Sequence, residues 1–475
     1  MADLEYKEYE DFSILITREE GRFLVRVLQS PAGKGSGALA LPPELTDVGS
    51  LVSGLARTAR GFAPEGESGS SSDLSEIGSR LYAALFQAEG KVGPLYQKSL
   101  GQVRGKKGLR IRLNLDLEHP EIGELARLPW EFLKGDTYLN LSDQTPVVRD
   151  LVVAAAPDPL DFEEPLRVLV VVSNPAGSAT LDLEQEGENL DETLAGDGIT
   201  VDIVRNVGKR ALQDYLDTHA AYHVLHYMGH GAFEGGRGCL LLEAADGGVE
   251  KVFGSDLEVM LHDKSDVTRL VFLNACQTDI TSTDDGADPF GGVATSLIEA
   301  GIPAVVAMQF PISDRAAIDF SKTFYERIVR GYPVDTAVQM ARRMLRLEFG
   351  EDNFEWGTPV LFMCSEDGLL FKRNAAPLAP LDLARGEDYA VRLSEEAGFF
   401  VLEWEARDPT PHDFVALYKG QPERADAYLW EQYEYAGSGS GRWRTAVSAR
   451  PGYYVGYVSV DAEGKQALEA IAGSS

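Results

Sequence analysis

Between residues 165 and 363, short apolar runs alternate with amphipathic stretches, and this alternation constrains the fold more than any other feature of the chain. The first run, "PLRVLVVVSNP" at 165–175, is apolar at consecutive positions rather than at every second one, the pattern of a strand covered on both faces. Strands are predicted at 167–173, 200–205, 222–228, 269–274, 303–308 and 360–363. Helices are predicted near 183–195, 208–217, 254–261, 291–300, 314–330 and 333–348. Such an order specifies a mostly parallel sheet covered by helices, because parallel neighbours need a crossover long enough to hold a helix. Ligands of such sheets bind at the carboxyl ends of the strands, so residues at those ends are the candidates for function.

The flanks read differently. "FSILITREEGRFLVRVLQSP", residues 12–31, predicts a hairpin turning at "REEGR". After "PEGESGSSS", which has the composition of a disordered linker, "SDLSEIGSRLYAALF" opens with a cap signal and sets Leu74, Ile77, Leu81 and Leu85 on one helical face. "LRIRLNLD", from Leu109, alternates strictly and predicts a half-buried strand. "LARLPWEFL" and "TPVVRDL" close this first unit, 1–155, before the α/β unit of 156–375. Beyond "NAAPLAPLDLARGEDY" come short alternating runs such as "GFFVLEW", "DFVALYKG" and "GYYVGYVSV", so 376–475 predicts a small β-sandwich. A chain of 475 residues can bury more than one core.

The charge balance excludes whole classes of partner. With 75 Asp+Glu against 44 Lys+Arg the net charge is -31, which repels nucleic acid and anionic membranes. Three cysteines, Cys239, Cys276 and Cys364, are too few for a disulfide framework and fit a reducing compartment. "MADLEYKEYEDF" has no apolar core of signal-peptide length, and no apolar run reaches membrane-spanning length, so a cytoplasmic location is expected.

One segment concentrates the chemistry. "HVLHYMGHGAFEGG", His223 to Gly236, carries His226 and His230 four apart beside glycines. A dinucleotide loop is disfavoured because Glu234 stands where its third glycine belongs. A zinc pair would need both histidines on a helix, yet the surrounding residues have strand character and the helical motif's Glu is missing, so no metal is assigned. A catalytic histidine needs a nucleophile, and "RLVFLNACQT" supplies Cys276 at the end of the next buried run. A thiol of ordinary pKa near 8.5 is mostly protonated at neutral pH, so a nearby imidazole has a chemical purpose. His230 precedes Cys276 in the caspase order. Gly229 and Gly231 are expected to turn the backbone off the strand, and the Gly231 and Cys276 amides to form an oxyanion hole. Taken singly, a strand-end cysteine is more often a small core residue and a histidine a satisfied core group; the pair and its order favour catalysis. His226 is expected to hydrogen-bond below the site, and Cys239 and Cys364 to be core residues.

These blocks resemble the CHAT peptidases, bacterial relatives of caspases and separases. The resemblance rests on "LPWEFL", "PVVRDL", "RVLVVVSNPAG", "VLHYMGHG", "LVFLNACQT", "DPFGGVATSLIEAGIPAVVAMQFPISD" and "FYERIVRGYPVDTAVQMARRML". It implies a cysteine endopeptidase with a His230/Cys276 dyad on a caspase-like, mostly parallel sheet covered by helices. It also implies that 1–155 packs as a pseudo-caspase-like α/β half. The C-terminal "PHDFVALYKG" and "PGYYVGYV" look similar to immunoglobulin-like SKICH domains. Separases carry an acid in the block matching "QFPISD", where Pro311 stands here; an apolar residue before the cleaved bond is therefore expected, in a pocket formed by Met308, Gln309 or Phe310, the alternative being Arg or Lys selected by acidic groups of "DITSTDDGAD".

The expected function is regulated proteolysis of specific protein partners, in bacterial defence or programmed cell death by the resemblance. No cofactor is expected. The loop "QTDITSTDDGADPFGG", 277–292, with Asp279, Asp284, Asp285 and Asp288, is either a solvated loop or an activation element ordered by calcium, by substrate or by an activating partner on the C-terminal domain. The alternative is a catalytically silent caspase-like scaffold that recruits partners.

Overall fold

A computed structural model describes residues 8–42, 45, 71–103, 107–115, 120–151, 156–162, 165–176, 199–234, 237–276, 289–310, 312–350, 353–373, 388–396, 399–407, 409–410, 412–422, 424–425, 428–429, 433–436, 440–448, 452–461 and 465–473. The chain divides into two compact units, one holding Tyr6–Ala195 with Ile199–Arg373 and the other Asn374–Ser475.

In chain order the first unit contains β1 (Tyr9–Glu19), β2 (Arg22–Gln29), β3 (Gly35–Ala38), α1 (Ser71–Tyr82), α2 (Val92–Val103), β4 (Gly108–Leu115), α3 (Pro120–Ala126), β5 (Val147–Asp150), β6 (Leu160–Phe162), β7 (Leu166–Val172), β8 (Ile199–Arg205) and α4 (Lys209–Thr218). It continues with β9 (Val224–Glu234), β10 (Arg237–Glu243), β11 (Val249–Phe253), α5 (Gly254–Leu261), β12 (Leu270–Cys276), α6 (Pro289–Glu299), β13 (Ala304–Met308), α7 (Asp314–Val329), α8 (Val334–Phe349), β14 (Pro359–Met363) and β15 (Phe371–Arg373). Thirteen of these strands form one sheet. Its path runs β11-β10-β9-β12-β13-β14-β5-β4-β1-β2-β3, with β7 joined to β8 and β9. From β8 through β7, β9 and β12 to β13 every pairing is parallel, as the alternation of runs predicts. The expected helix at 183–195 lies outside the described residues.

Burial on both faces follows from consecutive apolar positions. In β7, Leu166, Val168, Val170 and Val172 join one core with α7 and α8, while Leu169 and Val171 join another with α4, α5 and α6. Local signals fix the ends. Glu20 and Gly21, at φ 48 and 78, make the β1–β2 turn. Ser313 caps α7 by accepting from the Ala316 amide, and Gly350 at φ 84 stops α8 in a conformation that other residues resist.

β4 departs from expectation, since it is buried at all eight positions rather than on one face. Its polar side is closed by charge pairing. Arg110 Nε lies 2.7 Å from Asp11 and its Nη1 3.1 Å from Asp335, while Arg112 Nε lies 3.0 Å from Asp150. Both guanidinium groups also donate to the Glu366 carbonyl, so both buried charges of β4 have partners. Strand β5 pairs with both β4 and β14, which carries the sheet from the amino-terminal residues into those around the candidate site.

The second unit holds β16 (Tyr389–Glu396), β17 (Phe399–Ala406), β18 (Phe414–Lys419), β19 (Tyr433–Tyr435), β20 (Ser440–Ser448), β21 (Tyr453–Val460) and β22 (Gln466–Gly473). They form two antiparallel sheets, β16-β17-β20 and β19-β18-β21-β22, around Leu402, Trp404, Val415, Leu417, Val455 and Tyr457. Residues of both sheets meet in this one core, which gives the expected sandwich, while β18 is buried on both faces, with Phe414, Ala416 and Tyr418 in a second cluster.

Candidate active site

At the carboxyl ends of β9 and β12 the parallel register pairs Cys276 with His230 as direct neighbours. Parallel strands that start in step end in step: Leu270 pairs with Val224, and six residues later the two candidate residues share one rung. The strand that flanks β9 changes at this height. Through Met228, β9 is bounded by parallel β7; from His230 it is bounded by antiparallel β10, with Leu241 opposite His230. The chain leaving β7 is held at the exchange, where the Ser173 amide donates to the Met228 carbonyl over 2.9 Å and its hydroxyl to the Leu241 carbonyl over 2.8 Å.

His230 is 1% exposed. Its Nε2 lies 3.2 Å from Asn174 Oδ1, which can only accept, so Nε2–H is the donor. The Tyr227 hydroxyl lies 2.8 Å from both the His230 and Leu241 carbonyls. Burial raises the Tyr227 phenol, so it keeps its proton and acts as donor.

The glycines act otherwise than the sequence implies. Neither Gly229 nor Gly231 turns the chain, because β9 runs through both to Glu234. Gly229 is needed for close approach instead: a Cβ there would lie 2.6 Å from the Ser173 carbonyl and 2.6 Å from the Tyr227 hydroxyl. Gly231 pairs with Leu240 on β10.

The remaining candidates separate. His226 shares the strand face of His230 but sits in the core, where Nδ1 and the Tyr325 hydroxyl share a hydrogen bond of 2.9 Å and the ring stacks on Phe272 at 4.5 Å. Burial pushes its imidazole down to about 3, and burial with Arg167 pushes His223 down to about 4. Both therefore stay neutral as pH falls through the usual histidine range. In a carbon-13 histidine titration from pH 8 to pH 5 the two resonances are expected to stay fixed; a midpoint near 6.5 at His226 would show that water reaches the ring.

Cys239 and Cys364 are buried, and burial raises both thiols, that of Cys364 to about 11. They stay protonated near neutral pH. Met308 and Phe310 pack within the main core, and Gln309 Nε2 donates to the Arg127 carbonyl over 2.7 Å. Gln309 Oε1 also lies 3.4 Å from Arg149, whose Nε and Nη2 bind both oxygens of Glu131 at 3.0 and 2.7 Å. The blocks "LPWEFL", "PVVRDL" and "QFPISD" therefore meet in one buried polar cluster. Pro311, Asp279, Asp284, Asp285 and Asp288 lie outside the described residues. Among the described residues no group of three His, Cys, Asp or Glu is placed to hold a metal ion, and no helix is long and apolar enough to cross a membrane.

Fold and site together define a mixed α/β protein with a histidine and a cysteine paired at the carboxyl edge of parallel strands. The chain belongs to the CHAT domain family, whose profile matches residues 76–376. Among solved structures it is similar to the Arg-specific cysteine proteinase gingipain R, at 11% identity over 98% of each chain with a TM-score of 0.39. It is similar also to the Saccharomyces cerevisiae separase–securin complex, at 15% identity over 58% of this chain and 17% of that one, TM-score 0.34. A third is the Drosophila initiator caspase Dronc, at 13% identity over 47% of this chain and 94% of that one, TM-score 0.27. No curated protein matches the chain.

Proposed function

We propose that this protein is a cysteine endopeptidase that cleaves specific protein partners. The observation that carries the reading is the shared rung of His230 and Cys276. In the reaction, His230 takes the Cys276 thiol proton and the thiolate attacks a peptide carbonyl, forming the S–C bond. Amides of Gly231 and Cys276 hold the tetrahedral oxyanion. As the C–N bond breaks, His230 gives the proton to the leaving amine, and water then hydrolyses the thioester to free the acid and regenerate the thiol.

In this proposal the enzyme works in the cytoplasm, in bacterial defence or programmed cell death, and prefers an apolar residue before the cleaved bond. Ordering of residues 277–288, ahead of α6, completes the substrate groove, either through calcium on Asp279, Asp284, Asp285 and Asp288 or through a partner on the C-terminal sandwich.

Reactivity distinguishes the enzyme from a silent scaffold. A peptide-like thiol-reactive probe is expected to label Cys276 and to spare Cys239 and Cys364, whose buried thiols stay protonated. Equal slow labelling of all three would favour the scaffold.

A further inference from the structure

We propose that Asn174 is a positioning residue of this site, holding His230 in the Nε2–H tautomer so that Nδ1 is the basic nitrogen offered to Cys276. The inference rests on the peptidase reading and adds a third member to its pair. Three observations lead to it. The first is the hydrogen bond of 3.2 Å between His230 Nε2 and Asn174 Oδ1, which fixes both the ring's orientation and its proton. The second is how Asn174 is held. It follows Ser173, whose amide and hydroxyl are bonded to two different strands, and Ala176, two residues on, donates to the Gly247 carbonyl over 3.0 Å. The third is Gly229, which has no side chain to push the Ser173 carbonyl away. Four elements therefore converge to set one amide beside one imidazole.

The chemistry suits a neutral partner. A base must release its proton to the leaving amine as readily as it takes one from the thiol, so a base near the working pH is the most effective. An amide oxygen orients the ring without adding a charge that would hold the imidazolium. The titratable groups on the strands around His230 are His226, kept neutral by burial, Tyr227 and Cys239, kept protonated by burial, Cys276, and the charges Arg167, Glu234, Arg237 and Glu243 towards the strand ends. Asn174 thus controls the ring's proton without placing a charge on it.

The test uses the full chain and two readouts, nitrogen-15 histidine shifts for the tautomer and kcat and KM against pH on a cleaved peptide. Asn174→Ala is expected to mix the His230 tautomers and lower kcat roughly 10-fold to 100-fold, part of the 10²–10⁴ a positioned base supplies, with KM changed less than about twofold. Asn174→Asp keeps an acceptor and so retains more kcat than Asn174→Ala. Its added carboxylate stabilises the imidazolium, so the pH limb that reports His230 is expected to move upward by about one unit or more. A purely structural role would shift neither tautomer nor limb. If Asn174→Ala keeps the wild-type tautomer and kcat while Cys276→Ala is inactive, the positioning role is wrong and the peptidase reading stands. Full cleavage by Cys276→Ala would instead remove the reading on which the role depends.

Discussion

Cys276→Ala and His230→Ala are each expected to lower cleavage by on the order of 10⁶, and the double variant to lower it no further. A thiol without its base is mostly protonated at neutral pH, and a base without its nucleophile has no proton to take, so the first loss removes the function of both groups. The comparison between single and double variants therefore reports the shared rung itself. Independent losses that multiplied in the double variant would show two separate roles and contradict the pairing. Folding is not expected to account for the effect. Cys276 ends its strand, and the replacement removes one sulfur without changing the backbone pairs from Leu270 to Cys276. Thermal melts of both variants beside wild type check this, and Cys239→Ala, which alters a buried thiol on β10, is expected to retain cleavage.

What the sequence makes legible follows from how each element is stabilised. The strands β7, β12, β13 and β14 fall within a few residues of their predicted places because burial on both faces requires a continuous apolar run. Helix α5 falls where its amphipathic pattern sets it, at Gly254–Leu261. His230 and Cys276 are visible because each follows such a run. Other features depend on distant contacts. The glycines at 229 and 231 carry the local signature of a turn, and only the positions of Ser173 and Tyr227 show that Gly229 serves close packing. Asn174 before a proline reads as an ordinary loop residue, since its partner His230 lies 56 positions away. Arg110 and Arg112 read as a solvent face until Asp335 and the Glu366 carbonyl arrive from the other end of the unit. Charged residues that alternate within an apolar strand were the available signal for such pairing, because a buried sheet face tolerates charge only with partners.

The same reasoning sets a large stability effect in the α/β unit, at Glu131. Its carboxylate is 1% exposed and binds Arg149, itself 3% exposed, through two parallel hydrogen bonds. Arg149 also donates to the carbonyls of Ala126 and Leu128. Arg342 is buried nearby, donating to the Pro359 carbonyl over 2.5 Å; burial pushes it down to about 10 while Glu131 opposes that shift. One carboxylate thus offsets two guanidinium groups that water does not reach. Glu131→Ala leaves both cations without it, and breaking a buried pair from one side costs about 3–5 kcal/mol. For a unit of this size that corresponds to a fall in its melting midpoint of about 5 °C. Replacing both members of the pair, Glu131→Leu with Arg149→Met, removes one of the charges along with its partner, so the double variant is expected to be more stable than Glu131→Ala alone. The ordering matters for the site, because Arg149 also faces Gln309 at the end of β13, the strand next to β12. Gln309→Ala removes an amide and no charge, so its cost is expected near 1 kcal/mol, within the range of a single hydrogen bond. Chemical denaturation of the three variants, followed by the fluorescence of buried Trp130 and Trp356, measures the order; a Glu131→Ala loss no larger than that of Gln309→Ala would show that water screens the pair.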